Sequence, residues 1–155
     1  MIIKKLISDD EIARQIACLV NENHNASGWR ISFTKQGISR SPALYIVESL
    51  DHVVLGVVGL RRRQGDMSEI MHLVVMPEMR RQGLAKRLIS RAVEESPTKI
   101  VYAKVRDDNI PSLKTFMSLG FFPKRTFPRK GYGLIMMMRF KDNNTNNALL
   151  ESIRR

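Results

Sequence analysis

The sequence predicts an α/β (α+β) fold, and three stretches carry that prediction. Ala43 to Ser49 and Val53 to Leu60 are β-rich runs joined at Asp51-His52, which reads as a hairpin. Gln64-Gly65-Asp66 supplies the next turn and Met67 to Met76 a further apolar strand, so three consecutive antiparallel strands are expected. Leu84, Leu88 and Ala92 then form one row and Ala85, Ile89 and Val93 its neighbour. Lys86, Arg87, Ser90, Arg91, Glu94 and Glu95 fill the opposite side, the pattern of an amphipathic helix that Pro97 ends.

The other elements follow in chain order. Ile2, Ile3 and Leu6 suggest a short first strand. Ser8 with Glu11 makes a capping box, and Ile12, Ile16, Leu19 and Val20 recur behind it at helical spacing. Cys18 sits inside that helix and reads as structural, not reactive. Residues 21–42 are rich in Asn, Ser and Gly, with Trp29, Ile31 and Phe33 as isolated anchors. A short helix and a substrate-side loop are expected there. Ile100 to Val105 reads as a strand. Asp107, Asp108 and Asn109 offer helix caps, Pro111 suits a first turn and Gly120 a C-terminal cap, around a short helix presenting Leu113, Phe116, Met117 and Leu119. Phe121 to Phe127 and Tyr132 to Phe140 read as closing strands. Residues 1–140 are expected to form a single domain without internal repeats. Residues 141–155, with four Asn, are expected as a disordered or frayed-helical tail.

Composition narrows the function classes. The chain has 155 residues, 43% hydrophobic and 26% charged, enough for a core without staples. A lone cysteine excludes an internal disulfide and a cysteine-rich metal site. No apolar run approaches the ~20 residues of a membrane span, and Asp9, Asp10 and Glu11 interrupt any signal-like stretch after Lys4 and Lys5. The protein is therefore read as cytoplasmic, with no membrane partner. Net charge is +11 and uneven. Residues 61–91 hold eight Lys or Arg against three acids, and residues 123–141 hold six and no acid. Both stretches suit a polyanionic ligand.

The most informative segment is Leu73-Val74-Val75-Met76-Pro77-Glu78-Met79-Arg80-Arg81-Gln82-Gly83-Leu84-Ala85. A buried strand runs through a turn straight into the best-written helix. The first amides of a helix lack partners and the helix dipole adds positive charge there, which together make a phosphate receptor. Arg80, Arg81, Lys86 and Arg87 stand at the helix start and Glu94 and Glu95 at its end, the reverse of what the dipole favours. A bound pyrophosphate resolves that inversion. Gly83 removes a Cβ where backbone and phosphate would approach closely.

On these residues the sequence resembles the GNAT superfamily of acyl-CoA-dependent N-acetyltransferases. Arg80, Gly83 and Ala85 match its Arg/Gln-x-x-Gly-x-Gly/Ala motif, and Leu73, Val75 and Pro77 match the Leu-x-Val-x-Pro lead-in. Asn109, Ser112, Phe116, Gly120 and Phe121 stand at the spacings of its downstream motif, and the order of elements agrees from about Ile2 to Phe140. The resemblance implies a GNAT-like mixed, mostly antiparallel six- to seven-stranded sheet flanked by about four helices. It implies acetyl-CoA as co-substrate and no metal. The pantetheine arm would lie between the strand of Leu73–Val75 and that of Ile100–Val105. Leu73, Val74 and Val75 would hold that arm. Arg80 and the amides of Arg81, Gln82, Gly83, Leu84, Ala85 and Lys86 would hold the pyrophosphate, and Asn109 and Phe116 would meet the arm from the next helix.

The implied reaction is direct attack of a neutral amine on the thioester, with the backbone N–H of Val75 as oxyanion donor. Glu69 is a candidate base; an even number of residues separates it from Leu73 on one strand, so the two face one way and His72 the other. Phe116 stands where many family members carry a Tyr acid, and Phe donates no proton. Ser112, Tyr132 or water are open as substitutes. Two functions are compatible with the residues. One is an N-acetyltransferase with an acidic acceptor or one carried on a polyanion, such as an acidic protein or an aminoacyl-tRNA. In the tRNA case Lys124, Arg125, Arg129 and Lys130 would contact phosphates. The alternative is a catalytically silent acyl-CoA-fold protein that binds a partner protein or nucleic acid. The resemblance also admits a homodimer.

Overall fold

The computed structural model describes residues 3–5, 10–26, 34–39 and 44–153. Seven strands run in the order β1-β2-β3-β4-β5-β7-β6. They are β1 (Ile3–Lys5), β2 (Leu44–Glu48), β3 (Val54–Arg63), β4 (Met67–Val75), β5 (Ile100–Arg106), β6 (Phe122–Arg129) and β7 (Tyr132–Phe140). The helices are α1 (Asp10–Ala26), α2 (Lys35–Ser39), α3 (Leu84–Glu95), α4 (Ile110–Ser118) and α5 (Asn143–Ile153). Every neighbouring pair of strands is antiparallel except β4 and β5. α3 is the crossover that makes this one pair parallel, as a strand–helix–strand unit must.

Alternation along the strands divides the core in two. Val58, Leu60, Ile70, Val75, Val101, Ala103 and Met137 turn to one face, where Leu84, Leu88 and Ile89 of α3 and Phe116 of α4 meet them. Ile46, Val57 and Val74 turn to the other face, under Ile12, Ile16 and Val20 of α1. Farther along that second face Tyr102, Phe122 and Met138 are covered by Leu149 and Leu150 of α5. Leu88 and Ile89 are fully buried, and each such side chain contributes about 1.5–3 kcal/mol relative to exposure.

The expected turns are present. His52 and Asp66 adopt left-handed φ of 60° and 56° at the two hairpin bends. Asn109 caps α4, and Gly120 follows that helix at φ 79°. The capping residue Ser8 and the anchors Trp29, Ile31 and Phe33 lie outside the described residues. Residues 143–153, within the tail read as disordered or frayed-helical, form α5. Asn146 is 3% exposed there; its Nδ2 donates to the Gly120 carbonyl at 3.0 Å, and its Oδ1 accepts from the Phe140 amide at 3.0 Å. A polar residue that serves buried backbone groups cannot be told from a solvated one by composition.

Candidate active site

The site begins with a change in β4. Its lower half is flanked on both sides: β3 pairs with Met67 to Met71, and β5 pairs in parallel from Met67↔Ile100 to Ile70↔Ala103. Above Ile70 the two strands part. β4 keeps β3 as far as Val75, while β5 continues to Arg106 on β7 alone. The parting coincides with a bulge. Gly59 pairs with Met71 and Val57 with Val74, so His72 and Leu73 both stand opposite Val58. His72 takes the left-handed φ of 52° that the extra residue requires. Gly59 makes the room, since a Cβ there would lie 3.0 Å from Met71 Cγ and 3.4 Å from His72 Cδ2.

The bulge corrects the parity expected for Glu69. Paired residues share a face, so Glu69, Met71 and Val74 lie on the α1 face, while Ile70, Leu73 and Val75 lie on the α3 face. Glu69 and Leu73 therefore turn opposite ways, because the extra residue shifts the alternation by one. The same shift removes the argument for His72. Its ring approaches Gly59 from the side that Met71 occupies, not from the face opposite Glu69.

Backbone direction at the top of β4 follows from one hydrogen bond. The Met76 amide donates to Leu55 O on β3 at 2.9 Å. Alternation then aims the peptide groups of Val75 and Leu73 away from β3, into the gap that β5 has left. The carbonyl of Val75 accepts there from Arg80 Nε at 3.2 Å, and Arg80 Nη2 reaches Asn23 Oδ1 of α1 at 3.2 Å. The Arg80 side chain thus ties the loop to β4 and α1.

The loop rises through a 3-10 turn, Pro77–Met79, and enters α3 with Arg81 at φ 61° and Gly83 at φ 78°. No side chain caps α3, and its first internal bond runs from the Arg87 amide to Gly83 O at 3.1 Å. The amides of Leu84, Ala85 and Lys86 thus precede the ladder. Turns of this kind, with left-handed residues at a helix start, present successive N–H groups to an anion. A Cβ on Gly83 would meet no atom within 4 Å, so the chain itself leaves that space open.

Glu69 lies just below the parting, 8% exposed. Arg63 donates to its Oε2 through Nε at 2.7 Å and Nη2 at 2.5 Å, and Lys104 Nζ stands 3.5 Å from its Oε1. Lys104 is the first β5 residue beyond the last pair with β4. Burial and then the Glu69 charge push the Tyr102 phenol up, so it stays protonated beside this cluster.

Across the gap, Asn109 Oδ1 accepts from the Ser112 amide at 3.2 Å. Phe116 is 2% exposed and packs edge-on to Phe121, ring centroids 5.0 Å apart, so its ring belongs to the core. Tyr132 lies under Arg106, 4.4 Å from the guanidinium carbon. Cys18 is exposed on α1 instead of packed, and its hydrogen bond to Glu22 at 3.2 Å pushes the thiol up, away from reactivity. Among the described residues no His, Cys, Asp and Glu group suits a metal ion.

Sequence reasoning missed the bulge, the Arg80–Asn23 tie and the partnership of Glu69 with Arg63 and Lys104. Gly59 was the available signal for the bulge, because glycine within a strand marks close backbone approach. The other two join residues that only the folded sheet makes neighbours.

A mixed sheet whose one parallel pair parts near an uncapped, cationic helix start has a shape suited to an extended anionic ligand. The Acetyltransferase (GNAT) family profile matches residues 9–121, and the chain belongs to that family. Solved structures share its fold at low identity. yncA of Salmonella typhimurium, with its cofactor acetyl-CoA, is 18% identical over 92% of this chain and 96% of its own, at a TM-score of 0.74. An aminoglycoside 6′-N-acetyltransferase complexed with coenzyme A is 14% identical over 92% and 98%, at 0.78. The spermidine/spermine N-acetyltransferase SpeG from Vibrio cholerae is 17% identical over 94% and 98%, at 0.73. Among curated protein sequences none matches this chain.

Proposed function

We propose that this chain transfers an acetyl group from acetyl-CoA to an amine by direct attack. The observation that carries the reading is the parting of β4 from β5 above Ile70 and Ala103, directly below the uncapped start of α3. Acetyl-CoA supplies an activated thioester. The peptide groups of Leu73 and Val75 hold its pantetheine arm, with Val75 N–H available to a developing oxyanion. The amides from Arg81 to Lys86 hold the pyrophosphate. A thiol of ordinary pKa near ~8.5 is a tolerable leaving group, so a Phe at position 116 leaves transfer feasible.

Glu69 takes the amine proton through water in this reading. Arg63 and Lys104 hold its carboxylate in place beside the parting. Replacing it with Gln should lower kcat/KM by about 100-fold without weakening acetyl-CoA binding. An unchanged rate would remove Glu69 from the mechanism.

The acceptor is acidic or carried on a polyanion. The basic stretches 61–91 and 123–141 support this, and they disfavour polycations such as the aminoglycosides and polyamines named for two of the neighbours. Thermal unfolding with acetyl-CoA or ATP, at low and high salt, tests the core of the proposal. Ligand at about 100 times its Kd adds about 2.7 kcal/mol of stability. A shift with acetyl-CoA that persists in salt and is absent with ATP supports the enzyme. Equal shifts that vanish in salt would favour the silent, polyanion-binding alternative.

A further inference from the structure

The sheet face under α1 and α5 is covered by them only in part. α1 sits over Val57 and Val74, and α5 over Tyr102, Met138 and Phe122. Between these two areas, among the described residues, a diagonal strip crosses the sheet. It runs from Arg61 and Arg63 on β3, past Lys104 and Arg106 on β5, to Arg125 and Arg129 on β6. Register fixes the shared face. Arg61 pairs with Glu69 and Glu69 with Tyr102; Lys104 and Arg125 both pair with Met136; Arg106 pairs with Leu134, and Arg129 with Tyr132.

Cations outnumber acids on the strip. Glu69 is engaged by Arg63 and Lys104, and Asp108 at its edge by Arg106 through Nε at 2.9 Å. Arg125 and Arg129 are exposed, and residues 123–141 around them hold no acid. The strip also has flat surfaces. The Arg106 guanidinium lies over the Tyr132 ring at 4.4 Å, and that of Arg125 over Phe127 at 5.0 Å. Arg125 is exposed, and a guanidinium held flat on one ring can stack a further planar group on its other side. A carboxylate chain uses only the charge of such a surface. A single-stranded nucleic acid uses both, because phosphates pair with the cations and bases stack on the planes.

The position matters as much as the chemistry. The strip crosses the sheet at Glu69 and Lys104, next to the last parallel pair, Ile70↔Ala103, above which the strands part. A chain lying along it would deliver its end to the gap.

We propose that this strip is the acceptor track, and that it takes the single-stranded end of a nucleic acid carrying the amine to be acetylated. The proposal rests on the acetyl-transfer reading above. The test uses the full chain, with fluorescence anisotropy on a labelled single-stranded oligoribonucleotide and on poly-glutamate of equal length. A track that neutralises about four phosphates should bind RNA about 50-fold more weakly at about 200 mM salt than at about 50 mM. The double variant Arg125→Gln, Arg129→Gln should reduce the log–log salt slope by about 1.4. Stabilisation by acetyl-CoA, measured on the same variant, reports that it is folded and separates failure of the track from failure of the cofactor site. Transfer is then followed from labelled acetyl-CoA to an oligoribonucleotide bearing an aminoacyl group on its 3′ end through a stable amide. Salt-sensitive RNA binding, weakened in the variant, with acetyl transfer to the 3′-borne amine, supports the proposal. Equal binding of poly-glutamate overturns it in favour of an acidic protein acceptor. RNA binding without transfer, or a salt slope that the variant leaves unchanged, overturns the track.

Discussion

Two helix starts face each other across the parted strands, and they solve the same problem differently. α4 begins behind Asp107 and Asp108 with Asn109, whose side chain accepts from the Ser112 amide at 3.2 Å. α3 begins with Gly83, has no side-chain cap, and is flanked by Arg80, Arg81, Lys86 and Arg87. The first helix start is satisfied from within the chain. The second concentrates unpaired amides and positive charge at one point, which stabilises neither the helix nor the loop unless an anion arrives. A terminus that is locally worse than its neighbour on the same sheet is what the proposed pyrophosphate site requires.

The comparison can be broken at α3 first. Gly83→Val forces a β-branched residue to φ 78°, at a cost of about 1–2 kcal/mol, and fills the open space before the amides. Losing even one charge-assisted bond to a phosphate should weaken acetyl-CoA binding by about 100-fold, read by calorimetry. Unchanged affinity would mean that the anion sits elsewhere. Lys86→Glu sharpens the contrast, because its two effects should have opposite signs. The helix gains about 0.3–1 kcal/mol from an acid in its first turn, while acetyl-CoA affinity falls about tenfold. Parallel losses in denaturant stability and affinity would show that the inverted charge order is incidental.

At α4, Asn109→Ala should lower stability by about 1 kcal/mol, whereas Asn109→Asp, which keeps a capping oxygen, should hold it within a few tenths. Equal losses from both, in urea unfolding, would deny the cap. The smallest effect belongs to α5, which Asp142 starts by accepting from the Thr145 amide at 3.0 Å and from the Thr145 hydroxyl. The Thr145 hydroxyl first, then the amides of Thr145 and Asn144, hold this carboxyl below its ordinary range. The cap's contribution is therefore present above the unfolded value, near ~3.9, and is lost as pH falls through the lower folded value. Exchange of the Thr145 amide should accelerate in that acid range, and Asp142→Asn should remove the pH dependence while keeping the cap. A pH profile unaffected by Asp142→Asn would sink this account.

Much of the fold was legible because local pattern and tertiary role agree. The row Leu84, Leu88, Ala92 that marks α3 in the sequence is the row buried against the sheet. The hairpin of β2 and β3 and the cap at Asn109 are written in residues whose local chemistry suffices. The strand, turn and helix start from Leu73 to Ala85 were legible because each is written in local residues. Glu69 was located correctly along β4 and wrongly across it, since period-two reasoning cannot see an extra residue. What was not legible in the tail is the role of Asn146, whose buried partners lie 26 and 6 residues away.

The sequence by itself determined the element order, the amphipathic α3, the charge inversion at its start and the basic character of residues 123–141. Each depends on neighbours within a turn or a strand, where spacing alone sets the geometry. Only the tertiary structure decided that β4 and β5 part above Ile70, that a bulge at His72 separates Glu69 from Leu73, and that cations of β3, β5 and β6 align on one face. Those outcomes depend on register between segments far apart in the chain, and register is set by how whole faces pack.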